Sequence, residues 1–152
     1  MGLLAITVVM RDQKNKKSSL RAYMVSGTTL ATATTAAGTL AEYAEGLSLG
    51  VVDSIQISAD VDIPSAIVGN TPNANSDVEE KGRFLMRTAA GKTMRVSIPA
   101  WNETRTLSGT NAIDLTDADV VNFTEWFTNN AAVCDSNGEA IDSVLQGYEA
   151  YN

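Results

Sequence analysis

The chain contains no histidine, one cysteine (Cys134) and three prolines. Each scarcity removes a class of chemistry. Without histidine, one chain cannot assemble a Ser-His-Asp triad, a Cys-His pair, or a His-ligated zinc or haem site. One cysteine forms no internal disulfide, so the composition carries no sign of an oxidising compartment. Basic residues are also few. Eleven Lys and Arg stand against eighteen Asp and Glu, for a net charge of -7. A chain so acidic does electrostatic work to approach a phosphate backbone, so direct nucleic-acid binding is not expected. Aromatic residues are 6%, too sparse to line a sugar cleft around paired carboxylates. Long hydrophobic runs are missing as well. Leu3 to Met10 has no preceding basic segment and is far shorter than the ~20 apolar residues of a membrane span. The expectation is a soluble chain with no export signal and no membrane contact. Met1-Gly2 opens like a myristoylation signal, but Ile6 stands where Ser or Thr is required.

What is present is an ordinary core-forming composition: 152 residues, 44% hydrophobic and 19% charged. That length and balance fit a single domain able to bury its own core without staples. Leu3 to Met10 is rich in β-branched residues and reads as a buried strand. A polar turn, Asp12 to Lys17, leads to a second strand, Ser19 to Val25, with Leu20, Ala22 and Met24 on one face and Arg21 and Tyr23 on the other. Thr28 to Gly46 carries Leu30, Ala33, Ala37, Leu40, Ala41, Ala44 and Leu47 near a 3.6-residue spacing, which predicts an amphipathic helix. A third strand is expected from Val51 to Ile63. Pro64 to Asp77 reads as a loop or linker by composition.

The pattern then begins again. Phe84 and Met86 alternate with Arg83, Leu85 and Arg87, Ala89-Ala90-Gly91 turns the chain, and Met94, Val96 and Ile98 alternate with Thr93, Arg95 and Ser97, a second hairpin. A second helix is expected from Thr116, with Thr116 as N-cap, Asp119 three residues on and Leu115 stapling onto Val120. Val120, Phe123 and Phe127 mark its buried stripe. Asp135-Ser136-Asn137-Gly138 turns into a last strand, Ala140 to Tyr148. The predicted fold is α+β: two similar β-β-α-β halves, residues 1–63 and 79–152 joined by loop 64–78, packed as a pseudo-twofold unit of mostly antiparallel sheet with two helices.

Candidate chemistry is thin. Gly91-Lys92-Thr93 ends like a phosphate loop, but Met86 occupies the place of its first glycine, and a hairpin turn explains Gly91. Asp60 with Asp62 offers too few ligands for a cation cage. Asp114, Asp117 and Asp119 are accounted for by capping and the helix dipole. Asp135 to Gly138 is a fragment of a calcium loop without its remaining ligand spacing. No metal, cofactor or catalytic residue is assigned. Cys134, in an apolar run, reads as a small buried hydrophobe, and Trp126 as core. Trp101, leaving a strand after Pro99, reads as packing, with an exposed interface anchor as the alternative. Asn102-Glu103-Thr104 and Asn122-Phe123-Thr124 match the glycosylation sequon but mean little without an export signal.

Charge is the informative feature. All eleven basic residues lie in Arg11–Arg21 or Lys81–Arg105, the two hairpin regions. Beyond Arg105 there is none, whereas Asp114, Asp117, Asp119, Glu125, Asp135, Glu139, Asp142 and Glu149 follow. Surfaces so divided are complementary to an acidic partner or to other copies of the chain. Lys14, Lys16 and Lys17 on the first hairpin, Arg87, Lys92 and Arg95 on the second, and Trp101 are the candidate interface residues.

A short acidic chain, without histidine, rich in Thr, Ala, Ser and Asn and in strands, resembles over its whole length the virion proteins of tailed bacteriophages, capsid decoration or cement proteins in particular. The segment from Gly91 to Pro99, with the helix and strand after it, also looks like short bacterial proteins of one ββαβ unit. The first resemblance implies a non-enzymatic structural subunit that bridges capsomers and stabilises the shell. Its partners would be the major capsid protein, other virion subunits or copies of itself, and its location the virion, assembled in the host cytoplasm. A tail-tube or filament subunit is the alternative within that class. A small extracellular or cation-dependent binding module is the alternative outside it.

Overall fold

The computed structural model describes residues 2–47, 51–58, 61–65, 67–68, 70–72, 76–77, 81–98, 101–102 and 118–151. In chain order the elements are β1 (Leu4–Arg11), β2 (Lys17–Met24), α1 (Leu30–Gly46), β3 (Val51–Ile57), β4 (Val61–Asp62), β5 (Ser76–Asp77), β6 (Lys81–Thr88), β7 (Thr93–Ile98), β8 (Trp101–Asn102), α2 (Ala118–Asn129), β9 (Val133–Cys134) and β10 (Ile141–Tyr151). They form an α+β fold whose two main sheets are antiparallel. One has five strands in the order β4-β3-β1-β2-β9, the other three in the order β10-β6-β7, and β5 pairs with β8.

Alternation sets the faces of the first sheet. Ile6, Val8 and Met10 on β1 and Leu20, Ala22 and Met24 on β2 are buried, and the pairing Leu4↔Met24 through Arg11↔Lys17 puts both sets on one face. α1 covers that face. Thr29 caps it, its hydroxyl accepting from the Thr32 amide at 3.2 Å. Its buried residues are Ala33, Ala36, Ala37, Leu40, Ala41 and Ala44. Leu30, expected in that stripe, is instead 52% exposed: it is the first helical residue, at the very end of the helix.

Two departures from the expected third strand have clear causes. The register of β3 on β1 slips between Val9↔Ser54 and Met10↔Val52, leaving Asp53 as an extra residue. Such a bulge re-aims side chains. Val51 and Val52 are both buried, and the Asp53 carboxylate lies 3.6 Å from Arg11 Nε and 3.1 Å from Lys17 Nζ. Arg11 and Lys17 face each other across the hairpin, so Asp53 offsets a like-charge cross-strand pair. The second departure is a correction. The strand does not run on to Ile63 but reverses after Ile57, and β4 folds back with Ile57↔Val61 and Gln56↔Asp62. Ser58 turns with φ 51°, and its amide donates to Ala5 O at 2.7 Å. This pairing keeps Ile55, Ile57, Val61 and Ile63 on one face, because cross-strand partners share a face. Period-two alternation therefore looks the same for one long strand and for this hairpin.

The segment read as a linker is tied to the first sheet where it is described. Asn70 O accepts from Arg11 Nη2 at 3.1 Å, and Asn70 Nδ2 donates to Glu45 Oε1 at 3.2 Å. Ile67 packs on the core, and Ser76 and Asp77 pair with Asn102 and Trp101.

The second hairpin follows its expected alternation: Phe84, Met86 and Val96 are buried, and Arg87 and Arg95 are exposed. α2 buries Val120, Phe123, Thr124, Trp126 and Phe127. Its described residues begin at Ala118; the expected cap Thr116 and staple residue Leu115 lie outside the described residues. The rings form a chain, Phe84–Phe123 at 5.7 Å, Phe123–Phe127 at 5.7 Å and Trp126–Phe127 at 4.9 Å. Trp126 Nε1 donates to Ala36 O of α1 at 3.0 Å, so the read of Trp126 as core holds and the two helices meet there. β3 and β10 each lie beside the first strand of a hairpin, in the orders β3-β1-β2 and β10-β6-β7, whereas β9, the strand immediately after α2, pairs with β2. The segment after α2 also bridges the two sheets. β9 pairs with β2 through Tyr23↔Cys134 and Met24↔Val133, Cys134 bridges to Ala140, and Ala140 O accepts from the Ala89 amide at 2.9 Å.

Candidate functional site

Three hairpin tips share one construction. In Asp12–Lys16, Thr88–Lys92 and Asp135–Glu139 the first amide donates to the fifth carbonyl, at 3.0, 2.9 and 2.8 Å, and the fourth amide donates to the first carbonyl, at 3.1, 2.9 and 3.0 Å. The fourth residue is left-handed in each: Asn15 at φ 62°, Gly91 at 82° and Gly138 at 86°. This is the turn-plus-bulge hairpin that favours Gly or Asn at that position. The first side chain completes it. Asp12 Oδ1 accepts from the Lys14 and Lys16 amides at 2.8 and 2.9 Å, and Asp135 Oδ1 from the Asn137 and Glu139 amides at 2.8 and 2.9 Å. Thr88 Oγ1 accepts only from the Lys92 amide, at 3.2 Å. All three first residues are buried. Asp135 to Gly138, the calcium-loop fragment of the sequence, is thus accounted for as a hairpin turn whose carboxylate caps backbone amides.

The other acidic candidates are dispersed. Asp62 accepts from Gln56 Nε2 at 3.0 Å, and Asp119 lies in the first turn of α2. Asp60, Asp114 and Asp117 lie outside the described residues. Among the described residues no three His, Cys, Asp or Glu side chains converge on a point that could hold a metal.

The candidate interface residues divide. Lys14 and Lys16 are exposed in the first tip, and Lys17 is engaged by Asp53. Arg87 is exposed on β6, and Lys92, at the second tip, has its ammonium 3.9 Å from Glu139 Oε1. Trp101 lies in β8 opposite Asp77. The first tip adjoins Lys17 at one end of β2, whereas the second adjoins Ala140 and, through Cys134, Tyr23 near the other end. Tyr23 lies six positions along the strand from Lys17, about 20 Å.

What the fold does bring together is Lys92 and Arg95 with Arg21, a residue of the first basic stretch that was not among the candidate interface residues. They line a cleft of about 270 Å³ between β2 and β7, with Tyr23 on its wall, Ser136 and Asn137 at the third tip, and Ala22, Val96, Phe127 and Cys134 as its apolar part. It continues into an open trough of about 400 Å³ that shares Arg21, Tyr23, Arg95, Val96 and Ser136 and adds Ser19. Two strand edges flank it. β7 pairs with β6 alone among the described residues, and β2 pairs with β9 only at Tyr23 and Met24, so its edge from Lys17 to Ala22 has no strand partner among them.

The acids at the cleft are occupied: Asp135 caps its turn, and Glu139 faces Lys92. Burial, and then the neighbouring Asp135 carboxylate, push the Cys134 thiol above its ordinary pKa, so it stays protonated and weakly nucleophilic at neutral pH. The chemistry on offer is recognition: guanidinium and ammonium donors, a phenol, hydroxyls and two backbone edges, suited to carboxylates on an extended chain. No family model, no curated protein and no solved structure matches the chain.

Proposed function

We propose that the protein is a non-enzymatic structural subunit of a tailed-phage virion, of the capsid decoration or cement type, which bridges capsomers and stabilises the shell. The observation that carries the reading is the cationic cleft between two strand edges in a chain of net charge -7. An acidic protein that gathers Arg21, Lys92 and Arg95 at an open edge presents a surface complementary to an acidic partner. The compositional resemblance to virion proteins supports the same class. In this reading the two ββαβ units arose by duplication and are related by a pseudo-twofold axis, and their shared strand order supports that relation. One copy then matches two equivalent sites about a local twofold of the shell, and many copies make individually weak contacts sufficient. The partners are the major capsid protein, other virion subunits or further copies of the chain.

One observation favours a second reading, a tail-tube or filament subunit: β7 is open along its outer edge among the described residues, and such edges join neighbours. Sedimentation with electron microscopy separates the two. A decoration subunit stays small alone and co-sediments with shells assembled from the capsid protein of the same virus. Rings or tubes formed by the chain alone would select the second reading. A small species that ignores such shells would overturn both, and a melting temperature raised by calcium would then favour a cation-dependent binding module.

A further inference from the structure

We infer that the β2–β7 cleft receives an extended segment of a partner protein in which acidic and apolar residues alternate, added as a strand to the edge of β7 that has no strand partner among the described residues. The inference rests on the clasping role proposed above and names the chemistry of what is clasped.

Three observations converge on it. The outer edge of β7 offers unpaired backbone donors and acceptors among the described residues, the template that strand addition uses. Neighbouring residues of that strand differ in kind: Arg95 is exposed and Val96 is 4% exposed, and both line the cleft. A strand laid beside β7 sends successive side chains to opposite faces. Its residues on the Arg95 face meet the Arg95 and Arg21 guanidinium groups and are best matched by Glu or Asp. Those on the other face pass over Val96 toward the apolar part of the cleft and are best matched by Val, Ile or Thr. Charge supplies the third observation: Arg21, Lys92 and Arg95 line this cleft, with Lys92 3.9 Å from Glu139 and the Asp135 carboxylate capping its own turn. A nucleic acid fits less well, because its backbone carries no N–H and C=O groups to pair with the β7 edge.

Calorimetry on the full chain tests this with four probes: a peptide alternating Glu and Val, its isomer with the same residues in two blocks, a peptide alternating Lys and Val, and a single-stranded oligonucleotide. The alternating acidic peptide is expected to bind, more weakly as salt is raised, and at least about tenfold more tightly than the block isomer or the Lys peptide. Arg21→Glu and Arg95→Glu should each weaken it about tenfold or more. Lys14→Glu, exposed at the first hairpin tip and outside the cleft lining, should change it by less than about twofold. Arg21→Gln and Arg95→Gln repeat the test with a smaller perturbation, and melting curves confirm that each variant is folded. Equal binding of the block isomer, preferential binding of the oligonucleotide, or indifference to both arginine variants would overturn the assignment. So would self-association of the chain that Arg21→Glu abolishes, since the occupant would then be a second copy. Shell co-sedimentation keeps the two claims apart. Shells bound equally by wild type and Arg95→Glu leave the virion role standing and remove the cleft from it. Peptide binding without shell binding does the reverse.

Discussion

The two helices, α1 and α2, and the strands they cover fill the space between helix and sheet by opposite means. In the first, the helix contributes mostly alanine, with Ala33, Ala36, Ala37, Ala41 and Ala44 buried, and the sheet contributes the bulk: Ile6, Val8, Met10, Leu20, Met24, Ile55 and Ile57. In the second, the helix carries Phe123, Trp126 and Phe127, while β6 and β7 bury Phe84, Met86 and Val96. Interiors are close-packed, so total volume is constrained and its division between layers is not. The same strand order can therefore sit under helices with little residue-by-residue likeness. The contrast meets at one point, where the Trp126 indole reaches across to Ala36 O and ties the aromatic helix to the alanine helix.

The sharpest way to break this comparison is to remove the bulk from the second helix. Trp126→Ala should destabilise the fold by about 3–5 kcal/mol in chemical denaturation, as large-to-small core substitutions do. A loss under about 1 kcal/mol would mean that the aromatic helix does not hold the two units together. The complementary change adds bulk to the first helix. Ala37→Leu should cost about 1–3 kcal/mol by overpacking, and a neutral result would show that space remains between α1 and its sheet.

The hairpin tips sharpen the comparison further. Asp12→Ala removes the acceptor of two amides and should cost about 1–3 kcal/mol, whereas Thr88→Ala removes the acceptor of one and should cost about 1 kcal/mol. Thermal melts of the two variants that rank in the reverse order would refute the equivalence of the turns. A smaller contrast lies at their fourth positions. Gly91→Ala should cost about 1 kcal/mol because of its left-handed backbone, while Asn15→Gly at the matching position should shift stability by only a few tenths of a kcal/mol. The smallest effect is linked to pH. The folded-state pKa of Cys134 is raised, so the fold favours the protonated thiol. That contribution is fully present below the thiol's pKa in the unfolded chain and is lost as pH rises through the higher folded value. Wild type should therefore lose stability relative to Cys134→Ala in alkaline solution, and parallel stability curves for the two proteins would refute it.

Both hairpins and the helical stripes were legible because their signals are short-range. Phe84, Met86 and Val96 alternate as strands require, and Val120, Phe123 and Phe127 recur with the turn of a helix. The common turn was legible in principle, as Asp or Thr followed three residues later by Asn or Gly between two strands, but its three occurrences look different by composition. The reversal at Ser58 was not legible, since alternation survives it. Nor was the bulge at Asp53, which becomes visible only against the register of β1. Of the site, the clustering of basic residues in two hairpins was plain in the chain. Arg21 stood in the first basic stretch, but only the fold places it in one cleft with Arg95, a residue far away along the chain.

Local patterning alone determined the α+β class, the hairpins, the helix faces and the confinement of positive charge to two stretches, since side-chain period and turn chemistry act over a few residues. Which edges meet was decided only in three dimensions. β2 and β7 share no sequence relation that brings them together. Their approach depends on the Val133–Ile141 segment spanning both sheets and on Trp126 anchoring one helix to the other. Contacts of that kind depend on how separately formed surfaces pack, and local period says nothing about that.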